Sequence, residues 1–319
     1  MSRGTPMSIT RKLGLLGTLA AALVMGLAAC QTSGTMTSLV TDAGEETFTS
    51  WLAKPEGEGP FPAVVLLHGC SGTERTTSHQ TVWRGLNGHA ALLNDYGYVT
   101  LIVDSFGARR ITDGCQTGGK YYSVQVSDAH AAFDHLASLP FVDAGRIGFV
   151  GQSLGGGTAL RLALGSSVDS RTREGQGSYA ALVAYYPWCE AAWAYALRRP
   201  VMILIGEKDD WTPASRCIAM HSLAEKATFQ PDLELEVYPD AHHSFDLPMR
   251  GPYYVEGMNG RFHTVQGNPG ARRDSQARML TFFAKHLGGP YPAAASAGVD
   301  AAGNAGFGNI LRAAFALND

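Results

Sequence analysis

The sequence predicts an α/β protein whose mostly parallel central sheet carries helices on both faces. Two observations lead there: short apolar runs recur between residues 44 and 287, and stretches of helical period fall between them. The runs are 62–67, 99–103, 146–150, 181–185 and 201–205, with a shorter version at 233–237. They are continuous rather than alternating, as strands covered on both faces are, and Pro62 and Gly69 bound the first. Helical segments are expected at 125–139, 161–164, 213–227 and 272–287. In the first, Val126, Ala129, Phe133 and Leu136 share one face and Pro140 ends it. Pro213 suits the first turn of the third. No internal repeat is visible, and a sheet of this kind receives ligands at the carboxyl ends of its strands.

The chain has 319 residues, 45% of them apolar and 17% charged, ample to bury a full core without a metal or disulfide merely to fold. Its 25 Lys and Arg against 28 Asp and Glu give a formal charge of −3. No basic run is present, which argues against a nucleic-acid partner.

Residues 1–29 read as a secretory signal: basic residues ending in Arg11-Lys12, then an uncharged apolar run closed by small residues. The run is shorter than the roughly 20 residues a membrane-spanning helix needs. Leu27-Ala28-Ala29-Cys30 resembles the lipobox of bacterial lipoproteins. The resemblance implies acylation of Cys30, removal of the preceding peptide and membrane contact through an N-terminal lipid anchor only. Gln31 follows the cysteine, so the expected location is the outer membrane, facing the periplasm. Residues 30–43, rich in Thr, Ser and Gly, are expected to be a flexible tether. Of the other four cysteines, the expected pairs are Cys70–Cys115 and Cys189–Cys217, each joining neighbouring loops at one edge of the sheet; four cysteines allow three pairings.

The chemistry is announced by Gly151-Gln152-Ser153-Leu154-Gly155, a G-x-S-x-G directly after an apolar run and before a helical segment. A serine in so tight a strand-to-helix turn is pushed out above the sheet, and the flanking glycines let the backbone bend. The Leu154 amide then lies at a helix N-terminus, where it can donate to a developing oxyanion. A serine hydroxyl needs a base and an acid to orient it. The run 201–205 leads into Asp209 and Asp210, and the run 233–237 leads into His242 and His243, the order in which a fold with this serine turn brings acid and base.

On His68-Gly69, Arg146-Ile147-Gly148, the G-x-S-x-G, the Gly206-x-x-Asp209-x-x-x-Pro213 segment and His243-Ser244-Phe245, residues 62–287 resemble the dienelactone hydrolase family of the α/β-hydrolase superfamily. The resemblance implies the α/β-hydrolase fold and a triad of Ser153, Asp209 and His243. Asp209 is chosen because the family's acid stands four residues before the proline, His243 because its histidine precedes S-F or G-F. Asp210 is then expected to cap a helix and His242 to sit at the rim. The resemblance also assigns the second oxyanion donor to the backbone N–H of Cys70. Ser153 departs from dienelactone hydrolase itself, whose nucleophile is a cysteine. The expected reaction is hydrolysis of a small-molecule carboxylic ester or lactone through an acyl-enzyme, with no cofactor and no metal. Cys70, His68 and His79 do not form a zinc spacing. A peptidase of the prolyl-oligopeptidase type and a lipid-anchored binding protein that keeps the fold without turnover are the alternatives.

Two stretches, 105–122 and 247–270, are expected to shape the pocket. Tyr253, Tyr254, Met258 and Phe262 are expected to form a small satellite core rather than a pocket rim. Arg109 and Arg110 are expected to be a solvated pair rather than a site for a substrate carboxylate. The tail 288–319 is Ala/Gly-rich, with 310–317 a candidate short helix and no assigned role.

Overall fold

Within a computed structural model, the residues described are Met1, 35–40, 47–73, 80–164, 178–227 and 232–289. The signal segment 1–29, Cys30, His79 and the tail from 290, including 310–317, lie outside them. The chain divides into Met1–Gln31 and Thr32–Asp319, and every described strand and helix belongs to the second unit.

Eight strands form the main sheet: β1 (Thr35–Val40), β2 (Thr47–Ala53), β3 (Phe61–Leu67), β4 (Val99–Asp104), β5 (Val142–Gln152), β6 (Ala181–Tyr185), β7 (Val201–Gly206) and β8 (Leu233–Tyr238). Their spatial order is β1-β2-β4-β3-β5-β6-β7-β8. The pairs β1–β2 and β2–β4 are antiparallel, and β4 through β8 run parallel. The chain steps from β3 outward to β4, then crosses back to place β5 on the other side of β3. The loops leaving β3 and β5 therefore diverge at a topological switch point, the crevice where such sheets take ligands. Every residue of β4, β6 and β7 is buried, which is why these strands read as continuous apolar runs. At the edge, β8 alternates Leu and Glu, and Arg278 pairs with Glu236 at 3.0 Å, a charged border that discourages further strand pairing.

The helices are α1 (Gln80–Asp95), α2 (Tyr122–Ser138), α3 (Leu154–Ala163), α4 (Ala214–Ala224) and α5 (Pro269–Leu287). They cover both faces. On β5, a Cβ at Gly148 would meet Phe283 and Leu287 of α5. The next residue, Phe149, points the opposite way and joins Phe133 of α2 through Tyr179. The start of α5 follows its sequence: the Asn268 side chain accepts from the amides of Gly270 and Ala271, both at 3.1 Å, and Pro269 needs no donor there.

Two expectations are corrected, one helix went unanticipated and another is longer than expected. Residues 35–40, assigned to the tether, pair with β2 from Thr35–Leu52 to Val40–Thr47, a role their threonines and Val40 favour. Helix α1 escaped the sequence because Asn87, Gly85 and Gly88 dilute its pattern, yet at Gly85 it packs close to the Leu247 side chain. Helix α3 has the N-terminus expected at Leu154 and extends well before the 161–164 segment, with its three glycines pressed against Leu67 and His68, Tyr185 and Tyr122 in turn. Finally, Arg109 is not solvated. It grips the fully buried Asp128 with two bonds of 2.7 and 2.8 Å, and Arg110 alone is exposed.

Two disulfides close loops at the carboxyl end of the sheet. Cys70–Cys115 joins the loops after β3 and β4, and Cys189–Cys217 ties the loop after β6 to α4. The second spans 28 residues. Replacing Cys189 and Cys217 together by serine should remove about 3–4 kcal/mol of unfolding free energy, read as a lower urea midpoint without reductant. An unchanged midpoint would contradict it.

Candidate active site

The site begins with a backbone constraint. Ser153 adopts φ 54° and ψ −109°, a conformation L-residues rarely take. Its amide donates to the Tyr185 carbonyl at 2.9 Å, and its own carbonyl accepts from Gly157 at 2.9 Å. A Cβ at Gly151 would collide with the Gly155 carbonyl oxygen, and one at Gly155 would meet the Leu67 and His68 carbonyls at 2.6 and 2.7 Å. Both glycines of the motif are thus required by contact, and the turn presents the serine at the switch point.

Asp209 and His243 arrive from the ends of β7 and β8. Their loops are stitched together: the Lys208 amide donates to Ala241 at 2.9 Å, and a Cβ at Gly206 would overlap the Ala241 carbonyl. Asp209 is 4% exposed, and its Oδ1 accepts from the amides of Trp211 and Thr212 at 2.9 and 2.8 Å. The Thr212 hydroxyl lies 2.9 Å from Oδ2 and 3.1 Å from the Tyr186 carbonyl. His243, 2% exposed, places Nδ1 2.7 Å from Asp209 Oδ2 and Nε2 2.9 Å from Ser153 Oγ. With the serine hydroxyl donating to Nε2, Nδ1 carries the proton and donates to Asp209. The arrangement can pass a proton from a hydroxyl to an imidazole whose charge a buried carboxylate balances.

The loop after β3 packs against the serine, where a Cβ at Gly69 would lie 3.1 Å from Ser153 Cβ. The His68 carbonyl accepts from Gln125 Nε2 at 3.1 Å, and Thr158 donates to Gln125 Oε1 at 2.9 Å. The Cys70 carbonyl accepts from the Gly114 amide at 2.8 Å, beside the disulfide to Cys115. Leu154 opens α3, so its amide has no partner within the helix. Both ring nitrogens of His68 are engaged by backbone, Nδ1 with the Gly69 carbonyl at 2.6 Å and Nε2 with the Ser105 amide at 3.1 Å.

Other expected roles change. Asp210 caps no helix. Its carboxylate accepts from the Thr264 amide at 3.0 Å and hydroxyl at 3.1 Å, and its carbonyl accepts from His263 Nδ1 at 3.0 Å. His242 is half-buried beside the triad histidine. The stretch 247–270 contains a two-stranded ribbon, β9 (Tyr253–Glu256) with β10 (Phe262–Val265). The ribbon is fastened to the triad: Gln266 donates to the His243 carbonyl at 3.0 Å, and His263 stacks on Trp211 at 4.9 Å, which in turn lies 5.0 Å from the His243 ring. Its aromatics are not a satellite core, since Tyr254 and Phe262 are 67% and 63% exposed and Tyr253 and Met258 are also exposed. Two strands of four residues offer one buried face, and His263 and Val265 occupy it.

Sequence reasoning missed Gln125 and Thr212. Thr212 stands one residue before Pro213, a turn position that could have marked it; Gln125 carries no local signal. Among the described residues, no helix is long and apolar enough to cross a membrane.

Residues 48–287 match the model of the dienelactone hydrolase family. A Yersinia pestis protein provisionally named a carboxymethylenebutenolidase is 25% identical over 264 residues, 77% of this chain and 86% of its own length. Among solved structures, the dienelactone hydrolase-like promiscuous phosphotriesterase P91 from metagenomic libraries superposes with a TM-score of 0.61 at 22% identity, over 80% of this chain and 99% of that one. Porphyromonas gingivalis dipeptidyl peptidase 4 superposes with a TM-score of 0.51 at 20% identity, over 80% of this chain and 35% of its own. At these identities the structural likenesses speak to the fold.

Burial holds the His68 imidazole below its usual pKa of 6.5, outweighing Asp104 and the Gly69 carbonyl, which raise it. The unfolded chain therefore takes up the proton first. Stability that is full above pH 6.5 should be lost as the pH falls through the folded-state value. The denaturant midpoint should decline as the pH falls below 6.5, and the His68 ring should titrate below 6.5 by NMR. A His68 titration above 6.5 would contradict this.

Proposed function

The chain belongs to the dienelactone hydrolase family, and on that premise we propose that it is a serine hydrolase cleaving a small-molecule carboxylic ester or lactone. The observation that carries the reading is the unbroken relay from Ser153 Oγ to His243 Nε2 at 2.9 Å and from His243 Nδ1 to Asp209 at 2.7 Å.

In the proposed reaction His243 takes the Ser153 proton as Oγ attacks the acyl carbonyl. The oxyanion is held by the amides of Leu154 and Cys70; in support, the first lies at the open start of α3 and the second in the loop packed on Ser153. The protonated His243 gives its proton to the leaving oxygen, leaving the acyl group on Ser153. Water, deprotonated by His243, then attacks the ester, and Ser153 regains its proton. Asp209 stays ionised throughout, balancing the imidazolium from a buried position. No metal or cofactor takes part in these steps. We further propose export with a lipid on Cys30 and an outer-membrane location facing the periplasm, supported by the basic-then-apolar start and the Leu27-Ala28-Ala29-Cys30 sequence.

Ser153→Ala should lower hydrolysis of an activated short-chain ester by about 10⁴-fold or more and abolish labelling by a fluorophosphonate. Turnover retained in a folded Ser153→Ala protein would end the reading, and cleavage of short peptides in preference to esters would move it to a peptidase. Metabolic labelling with a palmitate analogue should tag the wild type and fail with Cys30→Ala; equal labelling of the two would exclude acylation at that cysteine.

A further inference from the structure

Behind the triad lies a second acid that the mechanism above does not use. Asp246 is 1% exposed and stands three residues after His243. Its Oδ1 accepts from the Tyr186 hydroxyl at 2.7 Å, and its Oδ2 lies 2.5 Å from Gln152 Nε2 and 2.8 Å from His89 Nε2. A carboxylate taken so far from water costs several kcal/mol unless its partners are well placed, and an apolar side chain would fill the space without that cost.

The partners come from segments that each hold part of the site. Gln152 immediately precedes Ser153 in the turn, and its Oε1 is buried without a partner. Tyr186 lays its ring 4.6 Å from that of His243, and its carbonyl lies 3.1 Å from the Thr212 hydroxyl that also touches Asp209. Tyr186 also has a positive φ of 39°, so this contact surface is held at some backbone strain. His89 brings in α1, the helix that a glycine at 85 lets approach Leu247, the residue after Asp246.

We infer that Asp246 is a positioning residue, its carboxylate tying the serine turn, the Tyr186 shelf under the imidazole and the histidine loop into one rigid unit. It touches no reacting atom. Its effect is to keep Oγ and Nε2 in reach through the cycle, and the inference rests on the serine-hydrolase reading.

The test compares wild type, Asp246→Asn, Tyr186→Phe and Val142→Ala, the last a core variant at the opposite end of β5 that controls for lost stability. Fluorophosphonate labelling rates, kcat and KM for one activated ester, and Tm are measured for each. Asp246→Asn should lower kcat and the labelling rate together by about 10- to 100-fold with KM within about twofold. Tyr186→Phe, which keeps the ring and removes one bond, should lower both by about 3- to 10-fold. Labelling of the wild type with unchanged rates in Asp246→Asn and Tyr186→Phe, or losses no greater than those of Val142→Ala at equal loss of Tm, would overturn this inference alone. If Asp246→Asn does not fold, the Tyr186→Phe rates decide by the same standard. A wild type that no fluorophosphonate labels would overturn both this inference and the reading beneath it.

Discussion

The strained turn at Ser153 is the constraint on which the rest of the molecule depends. Holding a non-glycine residue at φ 54°, ψ −109° costs on the order of 1–3 kcal/mol, and such a conformation lasts only where its surroundings over-determine it. Here they do. The Ser153 amide and carbonyl are both bonded, the glycines at 151 and 155 leave no room for a Cβ, and the loop after β3 lies against the serine through Gly69. That same closeness sets the direction of the hydroxyl, the start of α3 and the distance to the neighbouring loop. One tight contact thus places three parts of the site.

The second requirement is that the imidazole be held between an alcohol and an acid without freedom to turn away. Asp209 achieves this with little motion of its own, because two backbone amides occupy one oxygen and leave the other for His243. Backbone bonds between the loops after β7 and β8 make the pair move together. Beyond them, the Trp211–His263 stack and the Gln266 bond extend the same fixed geometry to the β9–β10 ribbon. The ribbon's exposed aromatic edge is consequently joined to the catalytic histidine through a few stiff contacts, and not through a long independent loop.

Much of this was legible in the chain because burial on both faces forces continuous apolar runs. The parallel strands from β3 to β7 announced themselves in that way, and the strand-serine-glycine context identified the turn. What escaped depends on contacts between distant segments. The glycines of α1 dilute its apolar period, yet Gly85 and the three near the start of α3 each mark a close approach to another element. The edge strand β1 read as tether because threonine and serine serve in loops as readily as in strands. The ribbon's tyrosines read as core because their hydrophobicity is local information and their exposure is not. Arg109 looked solvated beside Arg110, while its partner Asp128 lies 19 residues away on α2. The choices between Asp209 and Asp210 and between His242 and His243 came from family spacing, since neither duplication can be resolved by composition or period.

Both covalent bridges among the described residues lie where the strands finish, and neither braces the end where they begin. Mechanical stiffness is therefore distributed unevenly: the mouth is cross-linked, and the floor is held by packing, backbone hydrogen bonds and ion pairs such as Arg146 with Asp143 and His286 with Asp232. A thiol reductant acts on the first and has nothing to cut in the second. Reduction thus removes constraint only from the reacting end of the slab and leaves every contact at its far end as it was.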